Sequence, residues 1–349
     1  MKDKKNILVA PLNWGIGHAT RCIPIINILK EQGFTTIIMA SGRSLELLSK
    51  EFPNDKIIKL TDYNISYSTF LPMSLNILLQ IPKILYKIYS ENKQLDSIIN
   101  DFKIDGIISD NRYGLYSKKI PSVFITHQLE IQSKYLKKII QKINYYFINK
   151  FTKCWIPDYP KDGLAGDLSH PKKNQLNHEY IGPLSRFVIK PSNLKYDIIA
   201  LVSGPEPQRS IFENLLIKAL KDKTLKSLLL QGKPGKKFSK KINNLTIISH
   251  LKGTELNQAI LDSNIIICRS GYSTIMDLIT LEKNATLIPT PGQTEQEYLA
   301  RFLADTKLFN YQEQSNFNLN QILKSKKSLK KISAKTSKVE WEELLKVFD

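Results

Sequence analysis

Short β-branched runs alternate with helically spaced apolar stretches along most of the chain, and this alternation limits the fold more than any other feature. Residues 7–10, 35–39, 56–60, 106–109, 122–126 and 153–156 read as strands. Between them, apolar residues recur at helical spacing. Ile23, Ile26 and Leu29 form one such stripe, and Gly33 closes it as a C-cap. Strand–helix alternation of this kind implies a parallel sheet covered by helices on both faces.

The pattern pauses over residues 182–195, where Pro183 and Pro191 fall in a stretch without periodicity that reads as a linker. A second series follows, with strands at 197–202, 227–230, 245–249, 264–268 and 286–289. The expected fold class is therefore α/β: two tandem doubly wound, Rossmann-like parallel-sheet domains facing a cleft. At 349 residues the chain also exceeds what one core usually covers. The boundaries expected are 1–188 for the first domain and 189–335 for the second. Residues 319–337 are rich in lysine and serine and weakly patterned. Residues 336–349 recover an amphipathic helix through Trp341, Leu344, Leu345 and Val347, expected to pack back on the N-terminal domain.

Composition excludes several classes. With 42% hydrophobic and 24% charged residues, the chain is that of a folded protein rather than a disordered one. Cys22, Cys154 and Cys268 show no framework spacing, which argues for reduced thiols and a cytoplasmic setting. The first apolar run stops at Pro11, too short for a signal peptide. No uninterrupted apolar stretch spans a bilayer; residues 70–85 come nearest and are broken by Pro72, Gln80, Pro82 and Lys83. The net charge of +19 attracts anions, whether nucleotides, anionic lipid or nucleic acid. Nucleic acid fits least, because the aromatics do not interleave with the basic runs as a stacking platform requires. No Cys/His cluster has zinc spacing and no Asp-X-Asp motif occurs, so no metal is expected. His170 and His178 sit in a polar stretch that reads as surface loop.

In an open parallel sheet, ligands bind at the carboxyl ends of the strands, beside helix N-termini whose free N–H groups suit phosphate. Four strand-to-helix turns fit that role. After the first strand, Pro11 to His18 includes Gly15 and Gly17, which permit a tight turn; His18 is either a general base toward an acceptor hydroxyl or a helix cap. After the strand at 264–268 come Arg269, Ser270, Gly271, Ser273 and Thr274, a candidate diphosphate cradle with Gly271 supplying the turn. Asp277 follows, placed either to accept from ribose hydroxyls or simply to complement the helix dipole. After residues 286–289, Thr294 and Glu297 have capping-box spacing, leaving Glu295 and Gln296 to read sugar hydroxyls. After residues 197–202, Gly204 and Arg209 offer a backbone turn and a cation for phosphate, or a rigid connector stiffened by Pro205 and Pro207.

The second and third of these turns resemble the C-terminal domain of family 28 GT-B glycosyltransferases. That family includes the peptidoglycan N-acetylglucosamine transferase and the plastid galactolipid synthases. The likeness runs through residues 250–300, carried by Arg269-Ser-Gly-Tyr-Ser-Thr, Asp277 and Glu295-Gln296. Gly15-Ile-Gly-His18 looks like the family's glycine-rich loop ending in histidine, and Gln231-Gly232-Lys233 like the loop after the second strand of its C-terminal domain. The resemblance implies that residues 269–274 bind a diphosphate and Asp277 the ribose. Glu295 and Gln296 would meet the donor sugar, the backbone at His250-Leu251 the base, and His18 the acceptor. Asp110, in Ser109-Asp110-Asn111, and His127, in Thr126-His127-Gln128, look like strand ends on the acceptor side, and Asp110 is an alternative base. Trp14 stands where the family carries a smaller residue, which points to a different acceptor.

The expected activity is transfer of a sugar from a nucleotide-sugar donor, a UDP-sugar first, to a hydroxyl on a lipid or glycan acceptor. By family likeness the transfer is inverting; it needs no metal and no cofactor, the nucleotide-sugar being a substrate. Nucleotide-sugar hydrolases and 2-epimerases share this architecture, as would a non-catalytic nucleotide-sugar-binding subunit. Residues 70–89 and 134–153 mix lysines with Leu, Ile and Tyr. They read either as basic amphipathic surfaces for peripheral contact with an anionic membrane, at the inner face of the cytoplasmic membrane, or as helices covering the first sheet.

Overall fold

The computed structural model describes residues 4–60, 73–132, 137–171, 176–233, 238–325, 329–333 and 339–349, with side chains of the helix that begins at Met73 described from residue 79. The chain forms two compact units, Met1–Leu184 with Ser337–Asp349 and Ser185–Thr336. The boundary thus precedes the one read from the linker composition. The reason is local: the Val188 N–H donates to Asn257 and the Val188 carbonyl accepts from it, at 2.8 and 3.0 Å, tying this stretch to the second unit.

In the first unit a seven-stranded sheet has the order β3-β2-β1-β4-β5-β6-β7. Its strands are β1 (Asn6–Pro11), β2 (Thr35–Ala40), β3 (Lys56–Lys59), β4 (Gly106–Asp110), β5 (Ser122–Ile125), β6 (Lys153–Ile156) and β7 (His178–Tyr180). All neighbours are parallel. Strand β7 lies on residues read as surface loop; it is only three residues long, and its hydrogen bonds to β6 create it. The helices are α1 (Gly17–Glu31), α2 (Gly42–Glu51), α3 (Met73–Phe102) and α4 (Lys137–Ile148). The core joins Leu8, Ala10, Ile37, Met39 and Ile107 from the strands to Leu95 and Ile99 of α3. Helix α3 runs through Pro82. Among the described residues no helix is long and apolar enough to cross a membrane.

The second unit repeats the plan with the order β10-β11-β9-β8-β12-β13-β14. The strands are β8 (Tyr196–Leu201), β9 (Ser227–Leu230), β10 (Ser239–Ile242), β11 (Leu245–Ile248), β12 (Ser263–Cys268), β13 (Thr286–Leu287) and β14 (Asn310–Tyr311). Strand β10 is an antiparallel edge hairpin on β11; the other pairings are parallel. The helices are α5 (Gln208–Leu220), α6 (Gly253–Leu261), α7 (Tyr272–Thr280), α8 (Thr294–Asp305) and α9 (Leu319–Ser325). Helix α9 falls in the lysine-rich tail that showed little pattern. Its buried Leu319 and Ile322 complete the core around Phe212, Leu216 and Ile267.

The chain ends in the first unit with α10 (Trp341–Leu345) and a 3-10 turn at Lys346–Phe348. Trp341 and Phe348 both meet Trp155 edge-on, at 5.9 and 6.3 Å between ring centroids. Gly106 makes room for Phe348: a Cβ there would lie 2.4 Å from its ring. Lys5 Nζ donates to the Phe348 carbonyl at 2.6 Å. Phe348→Ala should therefore cost the first unit about 3 kcal/mol. Urea denaturation followed by tryptophan fluorescence measures this, and an unchanged midpoint would show that the C-terminal turn adds no packing energy.

Candidate active site

Both sheets reverse strand order at one place, between β1 and β4 in the first unit and between β8 and β12 in the second. Such switch points open a crevice at the carboxyl ends of the strands. In the first unit, Pro11 pairs with Asp110 in the ladder, so the loop leaving β1 starts beside the end of β4. Gly15 turns that loop at φ +86, in the left-handed region, and α1 begins at Gly17.

His18 is the second residue of α1, and its ring turns to the sheet rather than to the helix N–H groups. Its Nδ1 lies 2.9 Å from Asp110 Oδ1. The capping alternative is thereby set aside. Asp110 is fully buried and is also clamped by Arg21: Nε donates to Oδ2 at 2.6 Å and Nη2 donates to Oδ1. Arg21 Nη2 stands 2.8 Å from His18 Nδ1. The Cys22 thiol approaches Asp110 Oδ2 at 3.8 Å. Burial opposes ionisation of Asp110, but Arg21 and His18 outweigh it and hold its carboxyl down at about 2. A carboxylate so firmly ionised cannot donate, so the contact with His18 requires the proton on Nδ1 and leaves Nε2 as the acceptor. Burial first, then the Arg21 charge, lowers the His18 pKa; Asp110 opposes both and His127 adds to the lowering. His18 keeps 15% of its side chain exposed. Asp110 is thus a partner of the histidine and not an alternative base. His127 is buried after β5, close enough for its charge to act on His18. Asn111, next to Asp110, adopts φ +56, which asparagine tolerates.

Arg21 is the residue that the sequence reading missed. It lies three positions after His18, one helical turn on and on the same face. Among 51 basic residues that spacing alone did not single it out.

In the second unit, Cys268 at the end of β12 pairs with Leu201 of β8 and Leu287 of β13. The three loops that follow are therefore neighbours. Here the structure reassigns both candidate phosphate cations. Arg269 is only 1% exposed, and its guanidinium faces inward. Nη1 donates to the carbonyls of Ile288 and Pro289 at 3.1 and 3.0 Å; Nη2 donates to the Gln208 carbonyl at 3.1 Å and to Gln314 Oε1 at 2.7 Å. It stacks 4.0 Å over Phe212, and burial holds its pKa at about 10. Arg209 is likewise engaged, with Glu206, with Glu213 at 2.8 Å and with the Gln231 carbonyl at 3.2 Å. Glu213 also accepts from Gln231 Nε2 at 2.5 Å and pairs with Lys233 at 3.2 Å. These cations were read as ligand contacts because sequence shows a charge beside a glycine turn but not the carbonyls waiting inside.

Other positions are reassigned as well. Ser270 is buried and donates to the Gln296 carbonyl at 2.8 Å; Gln296 Oε1 accepts from the Thr290 N–H at 2.9 Å. Both brace the loops instead of facing outward. Gly271 is the N-cap of α7 at φ −72, a conformation open to any residue. Gln293, not Thr294, caps α8, and Glu297 accepts from the Gly292 N–H at 2.8 Å, so Thr294 and Glu297 form no capping box. Ser273 and Thr274 sit half-buried in the first turn of α7 without a hydrogen-bond partner among the described residues. Gly204 is exposed at φ +107, and a Cβ there would lie 3.8 Å from Thr290 Oγ1. That hydroxyl is buried and has no partner among the described residues; Thr290 too escaped the sequence reading. Glu295 is half-buried in the first turn of α8, and His250 and Leu251 lie in the connection between β11 and α6. Asp277 Oδ1 accepts from Ser185 Oγ at 2.5 Å. Burial raises its carboxyl to about 7, against the Ser185 bond and the Arg186 charge.

Residues 208–344 match the glycosyltransferase family 28 C-terminal domain. An uncharacterized glycosyltransferase of Methanosarcina acetivorans is 24% identical over 312 residues, covering 81% of this chain and 79% of that one. The UDP-N-acetylglucosamine--N-acetylmuramyl-(pentapeptide) pyrophosphoryl-undecaprenol N-acetylglucosamine transferase of a Sulfurihydrogenibium species is 24% identical over 319 residues, covering 88% and 85%. Among solved structures, Phytolacca americana UGT2 complexed with UDP-2fluoro-glucose and pterostilbene superposes with a TM-score of 0.65 at 12% identity, covering 100% of this chain and 95% of that one. This chain is a family 28-like GT-B glycosyltransferase. In this glycosyltransferase the inward arginines have a measurable consequence. Arg269→Ala strands four acceptors and should lower stability by about 3 kcal/mol or more. Thermal and urea unfolding measure it; an unchanged midpoint would return Arg269 to the ligand-contact role.

Proposed function

We propose that this glycosyltransferase moves a sugar from a UDP-sugar to an acceptor hydroxyl, with inversion and without a metal, and that His18 is the base. The observation that carries the reading is the His18–Asp110 pair: a partly exposed imidazole whose Nδ1 meets a buried, ionised carboxylate at 2.9 Å. Its Nε2 lone pair takes the acceptor proton as the acceptor oxygen bonds to the anomeric carbon. The bond from that carbon to the diphosphate breaks in the same displacement, which inverts the centre. The negative charge on the departing diphosphate suits the N-terminus of α7, with its free N–H groups and the hydroxyls of Ser273 and Thr274. Asp277 suits a ribose hydroxyl, and Glu295 the donor sugar. Among the described residues no three His, Cys, Asp or Glu side chains cluster as metal ligands, in keeping with charge stabilisation by dipoles. The relative named for a UDP-N-acetylglucosamine reaction supports a UDP-linked donor. His18→Gln should lower kcat by about 10²–10⁴-fold while UDP affinity is unchanged. Steady-state kinetics beside a thermal-shift titration with UDP test this, and full activity in the folded variant would sink the reading. Assays without acceptor separate transfer from hydrolysis.

The acceptor is read as lipid-linked, with the first unit docking on an anionic membrane. Leu79, Tyr86 and Tyr89 on α3 and Ile139 and Tyr146 on α4 are all more than half exposed, and Lys137, Lys138 and Lys142 lie on the same α4. Residues 70–72 and 134–136 of the two candidate segments lie outside the described residues. Apolar residues flanked by lysines suit an interface, where each lysine adds about 1 kcal/mol near anionic lipid. Sedimentation should show binding to vesicles containing anionic lipid, lost at high salt and absent with neutral lipid. No binding at low salt would identify a water-soluble acceptor.

A further inference from the structure

We propose that Arg21 is a positioning residue of this reaction: clamped on both oxygens of Asp110, it fixes the carboxylate against His18 Nδ1 and delivers Nε2 as a lone pair. The inference rests on the reading of His18 as base. Its geometric ground is the fork. Nε on Oδ2 at 2.6 Å and Nη2 on Oδ1 hold the carboxylate in the guanidinium plane, so the oxygen facing His18 is set by Arg21 as much as by the end of β4. Arg21 and Asp110 are both buried, so neither side chain has room to swing away.

The electrostatic consequence follows from the count of charges. A lone buried carboxylate beside an imidazole pulls the ring toward imidazolium, and a ring already protonated on Nε2 accepts nothing. With the guanidinium on the same carboxylate, the pair is neutral overall, and Nη2 at 2.8 Å from Nδ1 sets positive charge against the ring. The remaining groups that face this cluster are His127 after β5, whose charge also disfavours imidazolium, and the Cys22 thiol on Asp110. Arg21 thereby extends to lower pH the range over which His18 is competent. In exchange, the imidazolium formed on proton transfer is held less tightly than beside an unneutralised aspartate.

Two variants test this, Arg21→Met, which keeps bulk without charge, and Arg21→Lys, which keeps charge without the fork. The readouts are the titration of the His18 ring by NMR, assigned with His18→Gln, and the pH profile of kcat/KM. In R21M the His18 midpoint and the acid limb should both move up by one pH unit or more. That makes kcat/KM about tenfold or more lower at pH 6, with recovery at high pH. R21K should return the midpoint to near its original place while kcat stays reduced, because a point charge cannot hold the carboxylate plane. An unmoved His18 midpoint in folded R21M, or a loss equal at every pH, overturns the proposal. Should R21M not fold, R21K decides by itself: full kcat there overturns the positioning role. The NMR midpoint does not depend on catalysis. If the acid limb persists in His18→Gln, the base reading fails while the Arg21 inference is still judged.

Discussion

The Asp110 carboxylate has no contact with solvent, and the first unit is arranged around keeping it charged. Taking an ion of this kind out of water costs several kcal/mol unless donors replace the lost hydration. Here the donors come from one helix: Arg21 twice, His18 once and the Cys22 thiol. That demand fixes the rotation of α1, because three side chains on one face of it must converge on the end of β4. It also fixes the register of β1 against β4, since Pro11 must lie beside Asp110 for the loop to begin there. Gly15, at φ +86, lets the chain turn within the few residues available. The histidine is therefore presented by a constraint that is also structural, and the site cannot be loosened without exposing a buried charge.

The second unit solves a different problem, that of joining three loops after β8, β12 and β13. Arg269 acts as the cross-brace: its donors reach a loop carbonyl on each side and the start of α5. Ser270 and Gln296 add a second tie between the same loops. Gly232, at φ +64, packs so close to Val202 that a Cβ would lie 2.5 Å from its carbonyl oxygen, which binds the loop after β9 into the same layer. With the cations spent inside, an anion reaching this edge meets N–H dipoles and small hydroxyls at the α7 N-terminus. Such groups are aligned before the ligand arrives and lose little side-chain freedom on contact.

The alternation of strands and helices was legible because burial on both faces leaves long apolar runs, such as those of β1, β8 and β12. The edge strands β7, β10 and β14 were not. They are short or polar, and pairing with a neighbour defines them, so no run of residues announces them. Helix α9 hid in a lysine-rich stretch because only Leu319 and Ile322 carry its buried face. At the site, position was readable and partnership was not. His18 and Asp110 stood out because they end a loop and a strand, yet nothing in the order of residues says that they touch. Arg269 and Arg209 sit in the right turns but point inward, since the direction of a side chain is decided by unpaired carbonyls and carboxylates brought from elsewhere in the chain. Gly271 looked like a turn residue although its backbone is ordinary.

The net charge of +19 invites the idea that basic residues hold the anionic substrate, but the two kinds of cation divide the work. Four arginines, Arg21, Arg112, Arg209 and Arg269, are buried, whereas among the described residues no lysine is. The planar guanidinium satisfies several acceptors at once and is less strongly hydrated, so it can be taken inside; the ammonium cannot be at similar cost. The interior charges are neutralised by Asp110, Glu91, Glu206 and Glu213, or absorbed by carbonyls around Arg269. The excess that an approaching nucleotide feels is therefore a lysine field at the surface. That field acts over about one Debye length, roughly 8 Å at physiological salt, and raises encounter more than affinity. Contact recognition is left to groups without net charge. Raising the salt concentration should accordingly weaken capture of the donor while leaving the chemistry at His18, buried against its own ion pair, nearly untouched.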